Sequence, residues 1–177
     1  MKSVYLKIAQ ISLVLVCTIS LVLAGYFITK RVTYAQVDQS DRSLDLVNRV
    51  RKEKGLNQLK WNSKLSEAAE DKLNDILENR YFQHTSPEGV KAWDFILKND
   101  YSYIYAGENL AIDYADTEDA FKAWMDSPTH LANIVSDKYQ EYGFAEGEGD
   151  VEGHLSRVYV QIFATQENIA GIPISQY

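Results

Sequence analysis

Ile8 to Ile28 is a run of 21 residues without a single charge, and a helix needs about 20 such residues to cross the hydrocarbon core of a bilayer. This divides the chain into a short apolar N-terminus and the 146 residues from Val32 to Tyr177, which are left to fold. A cleavable signal has an apolar core of only about 7–15 residues, so the length favours an uncleaved anchor. Val22-Leu23-Ala24 and Thr33-Tyr34-Ala35 keep cleavage open as the alternative. Leu23-Ala24-Gly25 has the form of a lipoprotein signal, but Tyr26 stands where the lipid-bearing cysteine would be. Lys2 and Lys7 on one side are matched by Lys30 and Arg31 on the other, so charge bias does not orient the span. The expected organisation is an anchor or signal over 1–31, a linker over 32–40 and one folded domain over 41–177.

Cys17, the only cysteine, lies inside the apolar run, so no disulfide can form within the chain. The domain must be held by its core, and its length suffices for that. All 25 acidic residues lie beyond the anchor, whereas four of the 18 basic ones lie at or before Arg31, leaving about −11 on the folded part. Phosphate binding needs a basic patch, so a nucleic-acid role is disfavoured.

Local patterns place the elements. Leu44, Val47, Val50 and Arg51 recur at helical spacing before Gly55, a helix stop. A second helix is expected from a cap at Asn62 or Ser63, with Leu65, Ala68, Ala69, Leu73, Ile76 and Leu77 inward, fading near Asn79 to Tyr81. Trp93 to Lys98 reads as a short helix, and Thr117 as the cap of another ending at Asp126. Ser127-Pro128 reads as cap and first residue of one more. The period then changes, and Glu141 to Glu146 and Arg157 to Thr165 read as strands. The glycines between Gly147 and Gly153 suggest an exposed hairpin loop containing His154 at its edge. Tyr159, Gln161 and Phe163 alternate with Val158, Val160 and Ile162, which predicts a last strand covered on both faces. Helices followed by a hairpin define an α+β layered domain.

Two of the three histidines sit in Gly- and Pro-marked segments: His84 in Phe82-Gln83-His84-Thr85-Ser86-Pro87 and His130 in Trp124-Met125-Asp126-Ser127-Pro128-Thr129-His130-Leu131-Ala132-Asn133. Between them lies Gly107-Glu108-Asn109-Leu110-Ala111. Two imidazoles and a carboxylate point to a polar pocket able to hold a metal or to titrate near neutrality. These segments in this order resemble the CAP superfamily (cysteine-rich secretory, antigen 5 and pathogenesis-related class 1 proteins), most closely its bacterial SCP-like members, over about Leu44 to Ala164. The resemblance implies an α-β-α sandwich with a central antiparallel sheet and an extracytoplasmic location. It also implies that His84 and Glu108 face a cavity, with Asn109 structural. The eukaryotic pattern supplies a second acid and a strand histidine, but Ser127 and Val158 stand at those positions. His130 and Asp126 would replace them in the bacterial Trp-Met-x-Ser-Pro-x-His pattern.

Each residue also has a plain structural reading: His84 as a hydrogen-bonded loop residue, Glu108 as an acceptor in a turn, His130 at a helix N-terminus. Two functions follow. One is a binding module for an envelope, lipid or protein ligand through a cavity of His84, Glu108, His130 and Asp126. The other is a hydrolase of envelope peptide or glycan dependent on a divalent metal such as zinc, with His84, His130 and Glu108 as ligands. No His-Glu-x-x-His helix and no Gly-x-Ser-x-Gly elbow occurs.

Overall fold

The computed structural model describes residues 41–167. Contacts divide the chain into two units, Met1–Asp38 and Gln39–Tyr177, and every described residue belongs to the second. The expected anchor and linker lie outside the described residues; among the described residues no helix is long and apolar enough to cross a membrane.

Helix α1 occupies residues 41–53 and gives way at Gly55, whose φ is +72°. A two-residue strand β1 (Lys60–Trp61) leads into α2 (Ser63–Asn79). Asn62 caps α2 by accepting from the main-chain N–H of Lys64 and Leu65, and Arg80 ends it in the left-handed conformation. Then come α3 (Ala92–Lys98), β2 (Tyr103–Ile112), α4 (Thr117–Asp126), α5 (Pro128–Ile134), β3 (Glu141–Val151) and β4 (His154–Gln166). Asp116, one residue before the expected Thr117, caps α4.

The four strands lie in the order β1-β3-β4-β2. β1 runs parallel to β3 while the other pairings are antiparallel, so the sheet is mixed rather than antiparallel throughout. On β4 the side chains divide as the alternation predicts. Val158, Val160, Ile162 and Ala164 join α2 and α3 in one core, and Tyr159 and Phe163 join α1, α4 and α5 in the other. Helices therefore cover both faces.

Two expectations are corrected. The Gly-Glu-Asn segment is not a turn: Gly107, Glu108 and Asn109 pair with Phe163, Ile162 and Gln161 within β2. Nor do the glycines after Glu146 form a loop, because β3 continues to Val151 and only Glu152 and Gly153 make the turn, both with positive φ, as a two-residue hairpin of this twist requires. Gly143, Gly147 and Gly149 share one face of β3 and let α2 approach. A Cβ at Gly143 would fall inside the main chain of Leu65, and one at Gly147 or Gly149 would meet Leu73 or Leu77 at 3.0 Å. Their absent side chains serve packing rather than chain reversal.

Strand β2 is a sheet edge, and exposed edge carbonyls invite pairing with other chains. Here three alternate carbonyls are taken by side chains. Tyr139 Oη donates to Ala106 O at 3.2 Å, Asn133 Nδ2 to Glu108 O at 3.0 Å and Trp124 Nε1 to Leu110 O at 2.9 Å.

Candidate functional site

The carboxylate of Glu108 points out of β2 toward the loop that follows α2, and there it meets His84. Nδ1 of His84 lies 2.5 Å from Oε2 of Glu108. The two side chains differ sharply in setting, since 3% of the Glu108 side chain is exposed against 62% of His84. A buried carboxylate thus holds a surface imidazole by one edge. The bond to Glu108 raises the His84 pKa above its ordinary value, against burial and the charge of Lys72, which lower it. When the ring is neutral, the proton belongs on Nδ1 facing the carboxylate, which leaves the Nε2 lone pair for a ligand. The second carboxylate oxygen, Oε1, is buried and has no hydrogen-bond partner among the described residues.

The loop carrying His84 is fastened on both sides. Beyond it, the buried Ser86 Oγ accepts from the main chain of Glu88 and Val90 at 3.2 and 3.1 Å. Before it, Nζ of Lys72 on α2 donates to the main-chain oxygens of Gln83 and His84 at 3.0 and 3.4 Å. Burial pushes the Lys72 pKa down, and Glu108 and Asp75 oppose this.

His84 and Glu108 line a recess of about 320 Å³ together with Lys91, Trp93, Asn133 and Tyr139. Further along β2 lies a second, more apolar recess of about 250 Å³, lined by Phe82, Leu110, Ile112, Ala123, Trp124 and His130. His130 therefore stands at the neighbouring recess, still within electrostatic reach of His84. Burial first, and then the His84 charge, lower its pKa. Asp126 is exposed at the end of α4 and lines neither recess. His154 is exposed beside the hairpin turn, as expected. Asn109 is structural: fully buried, it donates to Gln161 Oε1 at 3.1 Å and to His130 O at 3.2 Å.

The donor set does not fit a resident zinc. Among the described residues no group of three or more His, Cys, Asp or Glu side chains stands where it could hold a metal ion, and zinc sites take at least three protein ligands. His84 and Glu108 come together; His130 and Asp126 do not complete a set with them.

Lys72, Asn133 and Tyr139 escaped the sequence reading. Lys72 did leave a signal, a lysine three residues after Ala69 and four before Ile76 within an inward-facing stripe. Asn133 and Tyr139 left none, because an amide or a phenol on a short helix or loop has many ordinary partners.

The family model described as the cysteine-rich secretory protein family, CAP, matches residues 44–163, and the chain belongs to this family. YkwD of Bacillus subtilis is 34% identical over 100 residues, which are 56% of this chain and 39% of YkwD. YlbC of the same organism, described as a membrane protein, is 31% identical over 108 residues, 61% of this chain and 31% of YlbC. The chain thus spans well under half the length of these relatives. The crystal structure of an SCP-domain extracellular protein from Bacillus anthracis superposes with a TM-score of 0.63 at 24% identity, covering 74% of this chain and 41% of that one, and shows the shared fold.

Proposed function

We propose that this chain is a membrane-anchored, extracytoplasmic CAP domain that binds a cell-envelope, lipid or protein ligand in the recess of His84 and Glu108, without turnover. The observation that carries this reading is Glu108 itself, a residue of the recess wall: one oxygen holds His84, while the other is buried and has no donor among the described residues. A buried acceptor left without a partner costs about 1–3 kcal/mol. A ligand N–H or O–H reaching Oε1 would recover that energy. The apolar recess beside His130 offers a place for an adjoining hydrophobic group. The uncharged run Ile8–Ile28 supports the anchor, and the extracellular SCP relative and the membrane-protein description of YlbC support the location.

The metal-dependent hydrolase has less support, because His84 and Glu108 lack a third ligand among the described residues. The test is to incubate the purified full chain with cell-wall fragments, lipid vesicles and envelope protein extracts, with and without chelator. Chelator-resistant retention by one of these, lost in Glu108→Ala and His84→Ala, is expected. Stoichiometric metal together with chelator-sensitive cleavage of peptide or glycan would overturn the reading in favour of the hydrolase.

A further inference from the structure

Lys72 lies inside the apolar stripe of α2 and is wholly shielded from solvent. An ammonium so buried is costly unless each of its protons finds an acceptor. All three do: Nζ donates to Tyr81 Oη at 2.7 Å, to Gln83 O at 3.0 Å and to His84 O at 3.4 Å. The Tyr81 ring also presents its face to the ammonium, 4.8 Å away. Tyr81 in turn donates its hydroxyl proton to Asp75 on α2.

None of the three acceptors is a carboxylate. Asp75 compensates the charge through the Tyr81 hydroxyl, and Glu108 acts on it only through space. Direct neutralisation would be the stronger way to keep a buried lysine; here two of its three bonds go instead to the chain at and just before His84. A flexible four-carbon stem with three donors lets one ammonium gather carbonyls from an irregular segment.

We propose that Lys72 is the positioning residue of the site: its ammonium grips the main chain at Gln83 and His84 and so seats the His84 imidazole on Glu108. This rests on the reading of His84 and Glu108 as the ligand site, but the test below reads the ring and not the ligand.

Two charged groups act on the His84 ring, Glu108 from β2 and Lys72 from α2, while His130 on α5 feels the His84 charge in turn. Lys72 affects the His84 ring in two opposed ways. Its positive charge disfavours a second cation nearby. Its grip on the main chain keeps the ring on the carboxylate, which favours the imidazolium. Deleting the ammonium separates these effects, because loss of charge alone sends the His84 pKa up and loss of the seat sends it down.

The experiment is an NMR titration of the His84 ring in the labelled full chain, for wild type, Lys72→Met and Lys72→Gln. Methionine keeps the apolar stem without donors; glutamine keeps amide donors without charge. The expected result is a downward shift of the His84 pKa in Lys72→Met toward the ordinary value of about 6.5, with Lys72→Gln at or above wild type. A rise or no change in Lys72→Met, or a fall in Lys72→Gln, overturns the proposal. If Lys72→Met does not fold, the wild-type protein decides. Slowly exchanging Nζ protons with scalar couplings to the carbonyl carbons of Gln83 and His84 are expected, and fast exchange without couplings overturns the proposal. A chain that retains no envelope material yet shows these shifts would lose the binding function and keep Lys72 as the residue that seats His84.

Discussion

Asn133 on α5 gives its side-chain amide to Asn109 on β2, 2.8 Å from Oδ1, and the same Nδ2 donates to the neighbouring main-chain oxygen of Glu108 at 3.0 Å. Asn109 answers by donating to the main-chain oxygen of His130. These reciprocal bonds lock the short helix α5 to the edge strand, so the two asparagines set His130 beside the recess. One of these bonds takes up an edge carbonyl, that of Glu108, which would otherwise be open to pairing.

Glu108→Gln should lower the His84 pKa. The bond to the carboxylate is the largest cause of the upward displacement, and burial and Lys72 both act downward once it is gone. Ring-proton NMR titration checks this; an unchanged His84 midpoint would mean the pair does not form in solution.

Stability should depend on pH through the two histidines with opposite signs. His84 has a raised native pKa, so it binds more protons folded than unfolded. Its contribution is complete below about pH 6.5 and is lost as pH rises through the native value. Because the ring is largely exposed, screening keeps this below about 1 kcal/mol. His130 has a lowered native pKa, so it penalises the fold as pH falls below about 6.5 and the unfolded chain takes up the proton. Denaturant midpoints from pH 5 to 8 for wild type, His84→Ala and His130→Ala measure both slopes. His130→Ala should lose stability more steeply with rising pH than wild type, and His84→Ala should gain it.

Arg51→Met should be strongly destabilising. The guanidinium is buried and donates to the main-chain oxygens of Asn57, Ile134, Ser136 and Tyr139 at 2.8, 2.9, 2.7 and 3.4 Å. It thus holds the end of α5 and the segment carrying Tyr139. At about 1–3 kcal/mol for each buried carbonyl left unsatisfied, and allowing for water reaching some of them, a loss of about 3 kcal/mol is expected in chemical denaturation. A loss below about 1 kcal/mol would show that these bonds are not formed.

Gly143→Ala and Gly147→Ala should differ although both lie on one face of β3. The first places a methyl inside the main chain of Leu65, so α2 must move; the second meets only the tip of Leu73, which can rotate. Overpacking that cannot relax costs about 1–3 kcal/mol or more. Thermal denaturation should therefore show a large drop for Gly143→Ala and a small one for Gly147→Ala, and equal drops would contradict the close approach of α2.

Much of this architecture is legible along the chain. Asn62 caps α2, Gly55 follows the end of α1, Ser127-Pro128 opens α5, and the two-sided alternation from Val158 to Phe163 correctly assigns the faces of β4. Each of these signals acts within a turn or two of its own residue, through a main-chain hydrogen bond, a fixed φ or the pleat. His84 and Glu108 are legible for a different reason: the family pattern spells them out, and their chemistry suits each other.

What the sequence by itself determined, then, is where most helices start and stop, which residues of the last strand alternate between the two cores, and which ionisable groups are available to the candidate site. Tertiary structure alone decided that Gly107-Glu108-Asn109 lies on an edge strand, that the glycines of β3 admit α2, and that His130 lines the recess next to the one lined by His84 and Glu108. It also decided that the lysine inside the stripe of α2 grips the chain at His84. The physical reason is common to all four. A glycine, an amide or an ammonium is compatible locally with several environments, and only the element packed against it, from a distant part of the chain, selects one.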